Sequence, residues 1–392
     1  MRERNRALVV AAFALFCSVL VWFNYSAVLP LVVEAWGLSG TQAGIVFGAF
    51  QAGYLASVVP AGWLADRYSP RWVIAVGATG TAVPSLAFAA VADGVLVGSA
   101  LRFLSGLFVA GVYVPGMRFV SDWFPEDVRG RALGAYIGVY EVGSGLSFVF
   151  ATVAAEAVDW RLAVGATSVG ALFVAPVVLG LTRDSPERTA SPDGGFDPSI
   201  LRNGEFLSAV SVYSWHNWEL FGVRNWLLAF LVATPAIGAL DSAVLPGLLV
   251  GGMIVASGAG NAGGGWLSDR LGRPRTVALG LGASALLSSV FGLLGRLPLA
   301  ALVAVTLVYG FVLAVDSAPT STLVTEVVPD ERVGAALSVQ SLVGFSTTVV
   351  SPIVFGAALD RSGYPVAFLT LAGGAVLGLL SVGVLLGVRR RR

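Results

Sequence analysis

One short stretch of the sequence, residues 215–226, carries three ionisable side chains in otherwise apolar surroundings. His216 and Glu219 are three residues apart, so a helix places them on one face, where they can share or relay a proton. Arg224 follows in the same stretch and offers a fork of N–H donors that suits an anionic group. These residue types indicate proton exchange and anion binding. The alternative is an ion-pair network that only fixes this segment against its neighbours.

Polar residues also interrupt other apolar stretches of the chain. An ionisable side chain in hydrocarbon costs roughly 2.5 to 3.5 kcal/mol on insertion scales, so it normally faces a cavity or a partner. We therefore predict a substrate and proton path from the polar residues at such positions. The path residues are Asn24, Tyr25, Gln51, Tyr54, Arg102, Tyr140, Glu141, His216, Glu219, Arg224, Asp316 and Gln340.

Glu141 and Asp316 each allow a structural or a functional interpretation. Glu141 shares a helical stripe with small residues, which favours either a carboxylate locked between helices or a proton site. Arg102 is predicted at a similar depth and is a candidate partner of Glu141 in one conformation. Asp316, beside Ser317, is the remaining acidic candidate. The stripe consists of Gly134, Gly138 and Gly145.

The elements that position these residues are membrane-spanning helices. Hydrophobic residues make up 56% of the chain and charged residues 12%, and the mean hydropathy is +0.82, which excludes a soluble domain. Charged or turn-forming clusters cut the chain into apolar stretches of about 20 residues, enough to cross a bilayer as helices. We predict twelve spans: 7–30, 41–62, 72–92, 95–117, 131–155, 161–182, 206–232, 243–264, 276–295, 299–322, 333–357 and 365–388.

An internal repeat divides the chain into two halves. Residues 62–71 recur as 265–275, and Asp269 minus Asp66 gives an offset of 203 residues. The long polar connection between the halves is rich in proline and glycine. We predict an N-terminal six-helix half at 1–182, a cytoplasmic linker at 183–205 and a C-terminal six-helix half at 206–392.

The distribution of arginine predicts the orientation. With the N-terminus inside, the outer loops carry only Arg161, Arg296 and Arg361, so the positive-inside rule places both termini in the cytoplasm. We expect a multi-pass protein of the cytoplasmic membrane, with the arginines at 389–392 contacting anionic lipid. The basic N-terminus precedes a run that is too long for a typical signal peptide, so the run is interpreted as the first span.

Several kinds of site are not expected. A lone Cys17 and a lone His216 exclude a disulfide framework within one chain and make a metal site implausible. No paired catalytic carboxylates, nucleophile motif or phosphate-binding glycine loop stands out. We therefore expect no enzyme activity, no cofactor, no metal and no nucleic-acid partner.

The repeated loop resembles that of the major facilitator superfamily. The second copy matches the family pattern through Gly265, Asp269, Arg270, Gly272, Arg273 and Arg275, whereas the first copy has Ser69 in place of a glycine. Arg102, Gly106 and Ala110, spaced by four, resemble a family motif linked to proton coupling. In this family such loops latch the cytoplasmic gate, which implies gating roles for Gly62, Asp66, Arg67, Arg71, Gly265, Asp269, Arg270 and Arg273.

The resemblance implies an all-α integral membrane protein of twelve helices in two pseudo-symmetric six-helix bundles. Such a protein acts as a secondary transporter by alternating access, and a monomer is sufficient for this architecture. The segment 216–226 is similar to permeases grouped with cyanate and small organic anion transporters. We predict a small anionic solute, with proton coupling left open. An aromatic-rich path favours efflux of drugs or lipophilic metabolites instead, and a membrane receptor is a further alternative. The aromatic residues are Trp22, Phe23, Tyr136 and Tyr140.

Overall fold

The computed structural model describes residues 2–186, 198–240, 242–329 and 333–390, and these ranges are helical without a β-strand. The first helices are α1 (Arg2–Ala27), α2 (Leu29–Trp36), α3 (Gly40–Arg67), α4 (Pro70–Val91), α5 (Val95–Trp123), α6 (Glu126–Ala157), α7 (Trp160–Val169) and α8 (Val174–Leu181). The later helices are α9 (Gly204–Val232), α10 (Pro235–Gly238), α11 (Val244–Leu271), α12 (Arg273–Phe291), α13 (Leu299–Leu313), α14 (Ser317–Glu326) and α15 (Val333–Arg390). Short 3₁₀ turns lie at Gly170–Phe173, Pro198–Arg202 and Leu294–Arg296.

Within the described residues, 10 segments are long and apolar enough to cross a membrane. The helix α9 is long enough but is not among them, and it carries charged residues along its length. The last segment, Ala336–Arg390, is interrupted at Gly363, whose φ of 77° is not helical. A total of twelve spans stays a prediction. It counts α9 as one span and the two arms of α15, before and after Gly363, as two spans.

Three predicted spans are divided between helices, and a proline follows each division. The predicted span 161–182 divides between α7 and α8, with Pro176 in the first turn of α8. The predicted span 7–30 divides between α1 and α2, and Pro30 stands at the start of α2. The predicted span 299–322 divides between α13 and α14, with Pro319 in the first turn of α14. Proline lacks an N–H and its ring clashes with the carbonyl four residues earlier, so a straight helix cannot pass through. The break between α13 and α14 leaves Asp316 at the N-cap position of α14.

The chain forms two compact units. Unit 1 comprises Met1–Leu38 and Ala49–Asp193, and unit 2 comprises Ser39–Gly48 and Gly194–Arg392. In unit 1, α1 packs on α6 and α4 packs on α5, whereas in unit 2 α9 and α12 pack on α15 and α11 packs on α13. The division into halves at 1–182 and 206–392 stays a prediction, and about half of the predicted linker, residues 187–197, lies outside the described residues.

The first turns of α3 join unit 2 through a glycine seam, which consists of Gly40, Gly44 and Gly48. A Cβ atom on Gly40 would lie 2.7 Å from the carbonyl oxygen of Gly356, and one on Gly48 would lie 2.6 Å from that of Val349. Such distances leave no room for a side chain, so the backbones of α3 and α15 touch directly. Small residues at four-residue spacing allow this close approach between membrane helices.

Asp360 closes the same contact at the beginning of α3. Its carboxylate accepts hydrogen bonds from the backbone N–H of Gly40, from that of Thr41 at 2.8 Å and from the Thr41 hydroxyl at 2.6 Å. Asp360 lies in the connection between the last two predicted spans. Burial raises the pKa of this carboxyl, but the hydrogen bonds from Thr41 and Gly40 outweigh burial and hold the pKa below its usual value.

Replacing Asp360 with asparagine is expected to lower the melting temperature of the purified protein at neutral pH. An amide has one acceptor oxygen where the carboxylate has two, and a lost cap of this kind costs about 1 kcal/mol. Because the pKa is lowered in the folded protein, the stabilisation is complete above the ordinary pKa and is lost as pH falls through the lowered value. The melting difference between wild type and D360N should therefore shrink in acid. A difference that grew in acid would contradict this account.

Candidate functional site

Arg102 lies in the interior of unit 1 with 1% of its surface exposed. Its Nη1 donates to the carbonyl oxygen of Val21 at 3.0 Å and to Oδ1 of Asn24 at 3.1 Å, and its Nη2 donates to the carbonyl oxygen of Trp22 at 3.0 Å. All three acceptors belong to α1 and are neutral. In the described part of the chain no carboxylate pairs with Arg102, so its charge is buried without a counter-charge. The predicted partner Glu141 is not among the groups that it contacts.

Asn24 connects this arginine to a buried chain of hydroxyl groups. Its Nδ2 donates to the hydroxyls of Thr167 and Ser168, each at 3.2 Å. The Ser168 hydroxyl in turn exchanges a hydrogen bond of 2.8 Å with that of Ser85. The network fixes the Asn24 amide so that its oxygen faces Arg102, which holds the guanidinium in one place.

Aromatic rings surround the same region. The Arg102 guanidinium carbon lies 4.3 Å from the centre of the Phe50 ring and 5.6 Å from that of Tyr25, both in cation–π range. Trp22 packs on Phe50, Tyr54 and Tyr140 at centroid distances of 5.4, 4.9 and 5.7 Å. The structure thus gathers the predicted residues Asn24, Tyr25, Tyr54, Arg102 and Tyr140 into one cluster of unit 1.

Gln51 and Glu141 complete the predicted residues of unit 1. Gln51 is 1% exposed, and neither atom of its side-chain amide has a hydrogen-bond partner among the described residues. Glu141 is half-buried. Its glycine stripe differs from the expected close packing, because a Cβ atom on Gly134 or Gly138 would meet nothing within 4 Å in the ranges described. The stripe is therefore open at Gly134 and Gly138, whereas its third member, Gly145, is buried.

In unit 2, His216 lies between two residues at the start of α14. Its Nδ1 is 3.1 Å from Oδ1 of Asp316, and its Nε2 is 3.0 Å from the hydroxyl of Ser317. His216 and Asp316 are 3% and 1% exposed. With the proton on Nδ1, Nε2 accepts from the serine hydroxyl, whereas neither carboxylate oxygen of Asp316 has a hydrogen-bond partner among the described residues. A second proton on Nε2 would convert the contact into a buried ion pair.

Glu219 binds a second set of partners in unit 2. It accepts a short hydrogen bond from the Ser288 hydroxyl, which also bonds to the phenol of Tyr309. Glu219 and Arg224 are 1% and 2% exposed. The expected direct sharing of a proton between His216 and Glu219 therefore differs from the contacts, in which each residue bonds to a different helix. Electrostatic interactions of His216 with Glu219, Asp316 and Arg224 still join the four residues in one cluster.

Gln340 is the last predicted path residue and lies on α15 with 4% of its surface exposed. Its Oε1 has no hydrogen-bond partner among the described residues. Asn217 on α9 has its Nδ2 beside Gly344, one turn beyond Gln340. These two amides add neutral polar groups to the interior of unit 2.

The repeated loop of unit 1 carries charge pairs at the ends of its helices. Asp66 is 3.4 Å from Arg118, and Nε of Arg118 is 3.0 Å from Asp122. Arg71 donates to the carbonyl oxygen of Leu179 at 2.7 Å, and Arg67 lies over the ring of Trp63. Gly62 lies beside the side chain of Val114.

The second copy of the loop, in unit 2, uses its charges differently. Arg273 pairs with Glu326 at 2.8 Å, and Arg270 stacks on Trp266 at 3.8 Å. Asp269 is exposed, and the described residues give it no ion-pair partner. The repeat offset of 203 places Ser321 where unit 1 has Arg118, so the second copy lacks the arginine that pairs with the aspartate. Gly265 lies beside Ala318.

Sequence reasoning missed several residues that complete these clusters. Arg118 and Asp122 have the i, i+4 spacing of a helical ion pair, which is a usable signal. The serine, threonine and tyrosine partners have no recognisable sequence signal, because a single hydroxyl in an apolar helix commonly bonds to the backbone of its own helix. The missed residues with hydroxyl partners are Ser85, Thr167, Ser168, Ser288 and Tyr309.

Comparison with known proteins identifies relatives over most of the chain. The "Probable sulfoacetate transporter SauU" of Cupriavidus necator is 27% identical, covering 97% of this chain and 92% of its own. The "Phosphoglycerate transporter protein" of Salmonella typhimurium is 24% identical over 97% of this chain and 88% of its own. The "Hexuronate transporter" of Bacillus subtilis is 24% identical, covering 96% of this chain and 93% of its own.

Solved structures show the same fold. A bacterial homologue of the human lysosomal transporter Spinster, in an inward-facing and occupied conformation, matches with a TM-score of 0.83 and 15% identity, covering 100% of this chain and 97% of that one. A sequence model described as Major Facilitator Superfamily matches residues 11–246 and again residues 235–392. With relatives that are transporters and not enzymes, and with several apolar helices, this chain belongs to the Major Facilitator Superfamily and is a multi-pass membrane transporter.

Proposed function

We propose that the protein is a secondary active transporter that moves a small anionic solute across the cytoplasmic membrane by alternating access. The observation that carries the proposal is the buried Arg102, whose hydrogen bonds in the described structure go to neutral oxygens only. A charge buried without a carboxylate is costly and attracts a mobile anion. A charge that served packing alone would be expected beside an acidic partner.

The relatives support an anionic solute. Sulfoacetate, phosphoglycerate and hexuronate, which the names of three relatives give as their solutes, all carry a carboxylate, and two of them carry a second anionic group. They differ in the rest of the molecule. The shared feature is an oxyanion on a small polar skeleton, which is the class that we propose for this chain.

The proposed architecture has twelve spans in two pseudo-symmetric halves, with both termini in the cytoplasm and a monomer as the working unit. Transport occurs as the halves rock around a site near the midplane. The loops with Asp66 and Asp269 act as cytoplasmic latches, and the charge pair of Asp66 with Arg118 supports such a role. The arginines at 389–392 bind anionic lipid.

Reconstituted protein tests the anion proposal. Proteoliposomes loaded with unlabelled solute are assayed for counterflow of labelled sulfoacetate, 3-phosphoglycerate or glucuronate, with tetraphenylphosphonium as a lipophilic cation. We expect counterflow of at least one anion and none of the cation. Counterflow of the cation alone would replace this proposal with lipophilic efflux, and binding of an anion without any counterflow would favour a receptor.

We further propose that protons drive the transport. Support comes from unit 2, where the buried His216 contacts both Asp316 and Ser317, and where Glu219 bonds to Ser288. An imidazole between a carboxylate and a hydroxyl can accept or release a proton without large movement. The cluster would carry the proton while an anion binds elsewhere.

Replacing Asp316 with asparagine is expected to separate coupling from transport. The amide fills the same space but cannot stabilise a charged His216, so uptake driven by an imposed pH gradient should fall at least about tenfold, which corresponds to about 1.4 kcal/mol. Counterflow, which needs no net proton movement, should stay within about twofold of wild type. The variant Asp93→Asn, at an exposed carboxylate outside the proposed path and latches, serves as the matched control. Uptake of D316N that still followed the pH gradient would contradict the role of this cluster.

A further inference from the structure

Unit 1 contains a group of buried polar atoms that the predicted path explains only in part. Four side chains each have an atom without a hydrogen-bond partner among the described residues: Nε1 of Trp22, both amide atoms of Gln51, Nε of Arg102 and Oγ of Ser105. None of these residues is more than 1% exposed. An unpaired buried polar group costs about 1 to 3 kcal/mol, so several in one place call for a ligand.

These side chains belong to three helices, α1, α3 and α5, that contact one another around Phe50. A Cβ atom on Gly106 would overlap the carbonyl oxygen of Phe50, so α5 touches α3 backbone to backbone. Arg102 and Ser105 lie on α5 within one turn of this contact, and Gln51 follows Phe50 directly on α3. The Trp22 ring of α1 packs on Phe50 itself. The four side chains therefore share one neighbourhood inside unit 1.

The group supplies more hydrogen-bond donors than acceptors. A guanidinium has five N–H donors, and Arg102 uses three of them on α1, so two remain, and Nε has no partner in the described part of the chain. The Trp22 indole adds one N–H and cannot accept, while Gln51 adds an N–H₂ group. A ligand with several acceptor oxygens and a negative charge satisfies such a set, whereas a cation or an apolar group does not.

We propose that Trp22, Gln51 and Ser105 form, together with Arg102, a subsite for the oxyanion group of the solute, and that Trp22 and Gln51 determine selectivity for it. This inference rests on the proposed anion transport and adds residues to it. The indole and the amide each donate to one oxygen of a carboxylate, sulfonate or phosphate group. Arg102 supplies the charge and Ser105 the hydroxyl donor. The Gln51 oxygen remains as an acceptor for a hydroxyl group of the solute.

Binding by the full-length protein in detergent tests the subsite. Isothermal titration with sulfoacetate, 3-phosphoglycerate and glucuronate gives Kd for wild type, Trp22→Phe and Gln51→Leu. Trp22→Phe keeps a ring against Phe50 and removes only the N–H donor. Each variant removes one hydrogen bond to a charged group, so we expect Kd to rise by about 10- to 100-fold.

The matched control is Trp36→Phe. Its Nε1 also lacks a partner in the described residues, but its ring packs on Phe88 and Trp160 instead. We expect its Kd to stay within about twofold of wild type, since it loses no contact with the solute. Melting temperatures without solute show whether each variant is folded, and the Gln51→Asn variant, which shortens the amide without removing it, replaces Q51L if that variant does not fold.

The outcomes separate this inference from the proposed function. Wild-type binding of an anion with unchanged Kd in both variants would overturn the subsite and leave anion transport standing. An equal loss of affinity in W36F would overturn it as well, because the effect would then be a general one. If wild type bound none of the three anions but bound tetraphenylphosphonium, the proposed function would fail and the subsite with it.

Discussion

Replacing Arg102 with methionine is expected to weaken anion binding and counterflow by at least about 100-fold. Hydrogen bonds to a charged group contribute about 1.5 to 3 kcal/mol each, and two N–H donors remain beyond those bound to α1. The methionine fills similar volume without charge. Titration of the purified protein with the anion that wild type binds, together with counterflow, measures the loss.

The folded state of this variant should survive. Exchanging a buried charge for an apolar side chain is often neutral or stabilising, so the melting temperature without solute should be unchanged or raised. Arg102→Lys keeps the charge but loses the fork of donors, and an intermediate loss of about tenfold is expected. The exposed Arg361→Gln serves as a control with wild-type binding. An Arg102→Met protein that bound the anion with wild-type Kd would show that this arginine serves structure alone.

Replacing Gly44 with leucine is expected to prevent stable folding. A Cβ atom at this position would already overlap the carbonyl oxygen of Pro352 on α15, and a backbone atom cannot move aside as a side chain can. Overpacking of this kind costs about 1 to 3 kcal/mol or more, and a leucine adds three further carbon atoms to the overlap. Size-exclusion chromatography and the melting temperature in detergent measure the effect. Gly44→Ala should destabilise the protein less than Gly44→Leu, with a melting temperature lowered by several degrees relative to wild type.

The matched control is Gly373→Leu on α15. This glycine is exposed, and a Cβ atom on it would meet nothing within 4 Å in the described structure. A side chain there extends into free space, and leucine is a better helix former than glycine, so stability should be retained or improved. If Gly44→Leu and Gly373→Leu melted alike, the direct contact between α3 and α15 would be refuted.

The sequence alone determined the membrane class, the helical state and the family. Hydropathy is a local property, and a bilayer leaves helices as the natural solution for an apolar chain of this composition. The repeated loop and the motif at Arg102 sufficed for the family, because their residues are fixed by spacing along the chain. Arg102, Glu219 and Asp316 stand alone in apolar stretches, so the sequence also indicated that their burial costs free energy, and all three are buried.

The positions of the proline residues alone did not predict where the helices break. Pro60, Pro84 and Pro115 lie inside α3, α4 and α5, whereas Pro30 and Pro319 follow breaks. The chemistry of the residue is the same in all five places. The difference depends on whether neighbouring helices tolerate a bend at that point, which is a property of packing.

The pairing of polar groups between helices followed from packing and not from the sequence pattern. Asp316 reaches His216 from a position 100 residues later, and Glu219 bonds to Ser288 rather than to the histidine one turn away. Arg102 bonds to carbonyl groups of α1, which every helix has and no sequence pattern marks. Spacing along one helix predicts which side chains share a face, but the partner on another helix depends on rotation, register and crossing point, and these are set by the packing of the whole unit.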